Sequence, residues 1–262
     1  MNRPCTTFQG VWQVVRFNPW FYAASLGLLT TGACAQPWNE FSSAPLLKYG
    51  VMFGFGLACW WTLASLAVSH WVYDRSDWRR GSWLRTLALA ADRNPQQMLN
   101  VHAGFDETTE RLCSWLPNAN IHTLSLFDPQ RLTEKSIHRA AAFRPAPPSE
   151  WKGSPEQWPS PKATFDWVLF LLSAHEFRAH EERVNLLSRA REALCVDAGS
   201  LVILAEHVRD LANFLAFGPG FLHFHSVSSW QKAWHEAGLK SVQSSQVTPF
   251  LRIWVLTPAL PS

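Results

Sequence analysis

The sequence predicts a doubly wound, mostly parallel α/β sheet preceded by a transmembrane helical hairpin. Three observations carry that expectation. Residues 49–73 contain no Asp, Glu, Lys or Arg, a run of about 25 residues, where about 20 suffice to cross a bilayer core as helix. From Met98 onward, short apolar runs rich in β-formers alternate with helix-forming segments, the order that builds a parallel sheet through right-handed crossovers. The last two such runs, 240–247 and 250–257, are separated only by Thr248 and Pro249. That is too short for a helical crossover and predicts an antiparallel pair.

The chain has 262 residues, enough for one domain with a sizeable core plus an appendage. It is 47% hydrophobic and 16% charged, yet its mean hydropathy of -0.08 excludes a polytopic transporter. The apolar excess is concentrated before about residue 75. Net charge is +3 with dispersed basic residues, and no Lys/Arg stripe points to a nucleic-acid partner. Cys5, Cys34, Cys59, Cys113 and Cys195 include no C-x-x-C pair. They predict reduced packing residues, neither a disulfide framework nor a zinc site.

The membrane anchor is expected over residues 1–74, with helices at about 20–35 and 49–73. Trp71 and Tyr73 stand where an interfacial aromatic belt belongs. Gly50, Gly54 and Ala58 place small residues on one helical face, suited to close helix contact. The first segment starts after Pro19 and is opened by Trp20, Phe21 and Tyr22, which favours a retained helix. The alternative is a signal peptide cleaved after Ala33-Cys34-Ala35. Arg75, Arg79, Arg80 and Arg85 follow the second segment, and Arg3 and Arg16 precede the first. The loop between offers only Lys48 and Glu40. This bias predicts a cytoplasmic-membrane protein whose α/β domain faces the cytoplasm. Residues 75–95 are expected to form a juxtamembrane linker, with Trp78 and Trp83 as an interfacial collar or part of an ordinary linker helix.

The α/β domain is expected over residues 96–258. Strands are predicted at 98–104, 121–128, 165–173 and 199–206, before the closing pair. Helices are predicted at 105–116, 133–143, 181–194 and 229–237, the last stopped by Gly238. The Pro/Ser/Trp-rich stretch 145–161 is expected to be an irregular surface loop.

Several motifs add a family resemblance. FDWVLFLLSAHEF resembles the fourth strand of the class I S-adenosylmethionine (SAM)-dependent methyltransferases, type 11-like, with its Phe-Asp lead and His-containing turn. LLSRAREALCVDAGSLVILAEH resembles the helix, turn and fifth strand that follow, and SSWQKAWHEAGLKSV the late helix before strand six. The likeness covers roughly residues 98–256. It implies a seven-stranded, Rossmann-like methyltransferase fold, SAM as cofactor and methyl transfer to an acceptor. The family's first motif, an acid followed by G-x-G-x-G, falls on Asn100, Val101, His102, Ala103, Gly104, Phe105 and Asp106. Only Gly104 remains of the three glycines, and Asn100 replaces the acid.

Ligands of an open α/β sheet bind beyond the carboxyl ends of its strands. The expected cofactor-binding residues are therefore Asn100, His102, Gly104, Asp106, Asp128 and Ser173. Asp128 is expected on the ribose hydroxyls, as the resemblance implies, or in a strand-end turn. His175 and Glu176 are the catalytic candidates, with His175 the expected base for an acceptor proton. Glu206, His207, Phe217 and Phe221 are expected on the substrate side, and the aromatic segment 211–225 as a lid or substrate wall. No metal is expected, because His175 and His180 are five apart and fall on different helical faces, and His223 and His225 lack a Cys or carboxylate at ligand spacing. Together these features predict a membrane-anchored methyltransferase for a small or lipid-like acceptor. The alternative is a membrane-tethered binding or scaffold protein that keeps the fold without the glycine loop.

Overall fold

The computed structural model describes residues 8–33, 45–90, 94–143, 147, 149–195 and 199–259. Most of the cleavage motif Ala33-Cys34-Ala35 lies outside the described residues, as do Arg3 and Glu40.

Helices lead the chain: α1 (Gln9–Phe17), α2 (Pro19–Ala33) and α3 (Pro45–His70), then a π-helical turn (Trp71–Arg75), α4 (Asp77–Arg80) and α5 (Ser82–Ala90). The α/β part follows as β1 (Gln97–His102), α6 (Thr109–Trp115), β2 (Asn120–Ser125), α7 (Lys135–Phe143), β3 (Trp151–Lys152) and β4 (Trp167–Leu171). It continues with α8 (His180–Ala193), β5 (Leu201–Glu206), α9 (Leu211–Phe217), α10 (Val227–Glu236), β6 (Leu239–Thr248) and β7 (Leu251–Pro258). The seven strands form one mixed sheet in the order β3-β2-β1-β4-β5-β7-β6. Strands β1 to β5 run parallel, whereas β7 lies antiparallel between β5 and the edge strand β6. The expected antiparallel close is present. The stretch 145–161 is not wholly irregular, since it carries β3, a two-residue strand paired only with β2.

Side-chain alternation explains the layering, because neighbours on a strand face opposite sides. Val168 and Phe170 of β4 join Val202 and Leu204 of β5 in one core, under α8 and α10. Trp167, Leu169 and Leu171 join Leu201, Ile203 and Ala205 in the other. Its cover comes from the N-terminal side: Val72, Trp78, Trp83, Leu84 and Leu87 belong to that second core. The interfacial collar is thereby corrected. Trp78 and Trp83 are 2% and 8% exposed and stack at 5.1 Å, because the face of the sheet needs covering.

Among the described residues one helix, α3 with its continuation, is long and apolar enough to cross a membrane, not the two of the expected hairpin. Alongside it runs α2, described over 15 residues, with the Tyr22 hydroxyl 2.9 Å from Ser65 Oγ. Gly50 and Gly54 face open space, not a close helix partner. Tyr73 does not stand in an aromatic belt; its hydroxyl reaches into the domain.

The helical layer is tied to the strand ends by specific bonds. The Asp74 carboxylate accepts the Gly10 and Val11 N–H groups at 2.7 and 3.3 Å, neutralising the positive N-terminus of α1. At its other end, Arg139 Nε donates to the Phe17 carbonyl at 2.7 Å. Trp60 Nε1 of α3 donates to the Leu215 carbonyl of α9 at 3.0 Å, and Trp61 meets Phe214 edge-on. Gly218 has φ +56° and packs on Trp61, a place and conformation that a side chain would not tolerate.

Candidate active site

A cavity of about 740 Å³ opens between the carboxyl ends of β1, β4 and β5 and the inner faces of α1, α2 and α3. Ala103, Phe105, Ser173, His175 and Glu176 form its floor. Tyr22, Ala58, Trp61 and Ser65 form its apolar-helix side. Glu107, Glu134 and Glu176 line it, and among the described residues no Lys or Arg does.

The floor is built on Glu206, the fully buried last residue of β5. Its Oε1 accepts the N–H groups of Ser173, Ala174 and His175 at 3.1, 2.7 and 3.3 Å. Its Oε2 accepts His175 Nδ1–H at 2.6 Å. The turn after β4 is thus wrapped around one carboxylate, and His175 Nε2 is left pointing towards Glu176 Oε1, 3.5 Å away. Burial opposes charge on His175, but Glu206 and then Glu176 outweigh it and raise its pKa to about 9. At neutral pH it carries its proton, so the expectation of a base poised near neutrality is revised. Glu176 is also buried, yet His223, His175 and Arg178 hold its carboxyl below the usual range.

His207, next in the chain, is tied differently. Its Nδ1–H donates to the Phe250 carbonyl at 2.7 Å, which leaves Nε2 to accept the Tyr73 hydroxyl, also at 2.7 Å. Burial lowers its pKa to about 4, with His175 contributing in the same direction, so it stays neutral. This chain of bonds joins the π-helical turn to the sheet.

The loop after β1 holds itself. Asn100 Nδ2 donates to Thr108 and Thr109 Oγ1 at 2.9 and 2.8 Å. Asp106 Oδ1 accepts the N–H groups of Thr108 and Thr109 at 3.0 and 2.9 Å, an N-terminal cap for α6. The Gly104 N–H donates to His102 Nδ1 at 3.2 Å, so His102 Nε2–H donates to Glu150 at 3.0 Å. Gly104 has φ +103°, and a Cβ there would sit 2.8 Å from Phe127. Asp128 Oδ1 accepts the Gln130 N–H at 2.9 Å in the strand-end turn.

Of the sequence candidates, Ser173, His175, Glu176, His207 and Phe217 line the cavity, whereas Asn100, His102, Gly104, Asp106, Asp128, Glu206 and Phe221 do not. Phe221 packs instead on Phe214, edge-on at 5.1 Å. The segment 211–225 does wall the cavity, through Phe217, Pro219, Gly220, His223 and Phe224. Sequence reasoning missed Glu134, Glu150 and Tyr73, and set His223 aside for want of a Cys or carboxylate at ligand spacing. Only His223 carried a local signal, as one of two alternating histidines in an aromatic segment.

Comparison with solved structures follows the same topology. A SAM-dependent methyltransferase from Aquifex aeolicus aligns over 71% of this chain and 92% of its own, at 12% identity and a TM-score of 0.51. This is a Rossmann-like methyltransferase fold. A protein from Pyrococcus horikoshii aligns over 70% of this chain and 92% of its own, with 13% identity and a TM-score of 0.49. Human N-acetylserotonin methyltransferase, solved in complex with SAM, aligns over 79% of this chain and 56% of its own, with 14% identity and a TM-score of 0.48. No protein-family model matches the chain, and no curated protein sequence does.

Two buried acceptors at the end of β1, Asn100 Oδ1 and Glu150 Oε2, have no hydrogen-bond partner among the described residues. A buried acceptor without a donor is costly. The carboxylate-lined wall of the cavity, separately, suits a ligand that brings ammonium donors and a positive charge.

Proposed function

We propose that this chain is a SAM-dependent methyltransferase that takes a lipophilic acceptor at a membrane. The cavity carries this reading: its polar floor lies at the strand ends where ligands of this architecture bind, and its other side is made by α1, α2 and α3. SAM would supply a methyl group on a sulfonium, and the carboxylates that line the cavity fit its positive charge. Ser173, Phe105 and Glu107, which line the cavity, would meet it at the floor, and Asp128, outside that lining, would reach its ribose hydroxyls as the resemblance implies. His175, fixed by Glu206, would stand beside Glu176 where the acceptor is positioned. Methyl transfer needs such positioning more than covalent help.

The anchor supports the acceptor class. Leu26, Leu46, Phe53, Trp60 and Leu63 of α2 and α3 are each more than half exposed, a patch that an apolar phase would cover. In this reading α3 holds the cavity against the bilayer, with the α/β domain on the cytoplasmic side. A second reading, a membrane-tethered binding protein, is favoured by one observation: Phe127 closes over Gly104, where the fold's glycine loop would leave space.

The test uses the full-length protein in lipid vesicles with methyl-labelled SAM and membrane lipid extract. Label appearing in the organic phase is the expected result. Tight SAM binding without transfer to any extract would favour the second reading, and alkaline release of the protein from membranes would remove the anchor.

A further inference from the structure

We propose that His175, Glu176 and His223 form a binding site for a first-row divalent cation on the cavity wall. The ligand atoms come from the turn after β4 and the end of the segment 218–223, and all lie within 4.8 Å of one another. His175 Nε2 is 3.5 Å from Glu176 Oε1, and His223 Nε2 is 3.8 Å from Glu176 Oε2. Ligands bound at about 2.0–2.2 Å to one tetrahedral ion stand roughly 3.3–3.6 Å apart, so side-chain rotations that draw the atoms in from their 4.8 Å spread close the site.

The supporting shell is present on both imidazoles. A ligating histidine almost always gives its other ring N–H to a carboxylate, carbonyl or water, which fixes tautomer and ring orientation. Here His175 Nδ1 faces Glu206 Oε2 at 2.6 Å, and His223 Nδ1 faces Glu134 Oε1 at 3.3 Å. Both Nε2 atoms are thereby turned towards the same carboxylate. The two rings meet edge-on with centroids 5.2 Å apart. Around the cluster, Glu134, Glu176 and Glu206 are set against the Arg178 guanidinium, which is engaged by the carbonyls of Leu222 and His223. Binding would displace the Nε2 proton that His175 carries at neutral pH, and with both imidazoles then neutral that balance is negative, as a dication requires. Two imidazoles and one carboxylate suit Zn²⁺ or Fe²⁺ better than Mg²⁺ or Ca²⁺. Three protein ligands leave a coordination position open to the cavity.

The expectation of no metal rested on local spacing, His175 against His180, and His223 and His225 without a Cys or carboxylate near them in sequence. His180 turns away to Glu236, at 2.8 Å, and the partner histidine lies 48 residues further on in sequence, at His223. This inference does not depend on SAM, since the ion is read directly.

The experiment titrates Co²⁺, as an optical stand-in, into chelator-treated full-length protein in detergent without SAM. One equivalent should bind with visible d–d absorption. His223→Ala and Glu176→Gln should abolish the bands. Glu134→Gln alters a half-exposed side chain, so folding is not at stake, and it should weaken binding about 10–100-fold through His223. No stoichiometric Co²⁺ binding overturns the proposal, as does unchanged affinity in Glu134→Gln together with unchanged bands in either ligand variant. Should the ligand variants fail to fold, the Glu134→Gln affinity alone decides, upholding the site if lowered and overturning it if not. SAM binding by a protein that takes up no Co²⁺ would sink this site and leave the proposed function standing.

Discussion

Replacing His207 by Gln should flatten the acid limb of the protein's stability profile. His207 is 2% exposed, and burial holds its pKa down at about 4, against about 6.5 in an unfolded chain. A base whose folded pKa is lowered stays neutral in the fold while the unfolded chain takes up a proton. Its contribution is therefore fully present above pH 6.5 and is lost as pH falls through about 4. The separation, at about 1.4 kcal/mol per unit, corresponds to about 3 kcal/mol. The groups around the ring are the Tyr73 hydroxyl, the Phe250 carbonyl, Asn213 and the charged His175, so no carboxylate is bound to it to restore the charge. His225 is lowered too, to about 3, which is why the comparison must be between proteins and not between pH values alone. Denaturant unfolding of the full-length protein in detergent, at pH 7.5 and pH 4, gives the numbers. Wild type should lose about 3 kcal/mol more than His207→Gln over that interval. Parallel profiles would mean that His207 is hydrated or already charged, and that the tie between helical layer and sheet is misassigned.

Three further expectations rest on neighbouring contacts. Tyr73→Phe leaves buried His207 Nε2 without its donor and should cost about 1–3 kcal/mol in the same unfolding assay; a neutral result would show that water replaces the hydroxyl. Gly104→Ala combines φ +103° with a Cβ 2.8 Å from Phe127, and should destabilise by about 2–4 kcal/mol. Part of that loss should be recovered in the double variant with Phe127→Ala, and full additivity would deny the contact. Phe217→Ala, on the cavity wall, should lower acceptor turnover with little change in melting temperature. Phe221→Ala, packed on Phe214, should do the reverse, and identical effects would place both rings in one role.

The parallel strands β4 and β5 were legible because they are buried on both faces and so read as nearly continuous apolar runs, whereas β1, as deeply buried, is interrupted by Asn100 and His102. The closing pair was legible from the brevity of Thr248-Pro249. By contrast, β3 is two residues long and exists only through pairing with β2, so no periodicity announces it. Trp78 and Trp83 alternate with arginines, a pattern that fits a membrane interface as well as a core, and only the uncovered sheet face decides between them. At the site, Ser173, His175 and Glu176 were readable from their place just past a strand. The His175–Glu176–His223 cluster was not, since Glu134, Glu206 and His223 meet it only through tertiary packing. The first loop shows the limit of reading by motif. Asn100 and Asp106 fall where cofactor ligands are expected, yet their bonds to Thr108 and Thr109 start α6.

The most direct test of the central claim is a calorimetric titration of SAM into the full-length protein in detergent, repeated with Asp128→Ala. The account predicts one SAM per chain, displaced by S-adenosylhomocysteine. It also predicts that Asp128→Ala weakens binding by the order of 1–3 kcal/mol, as expected for a hydrogen bond to a charged group. Absence of any SAM binding by the folded, unmutated protein would contradict it and leave the tethered binding protein as the reading of this fold.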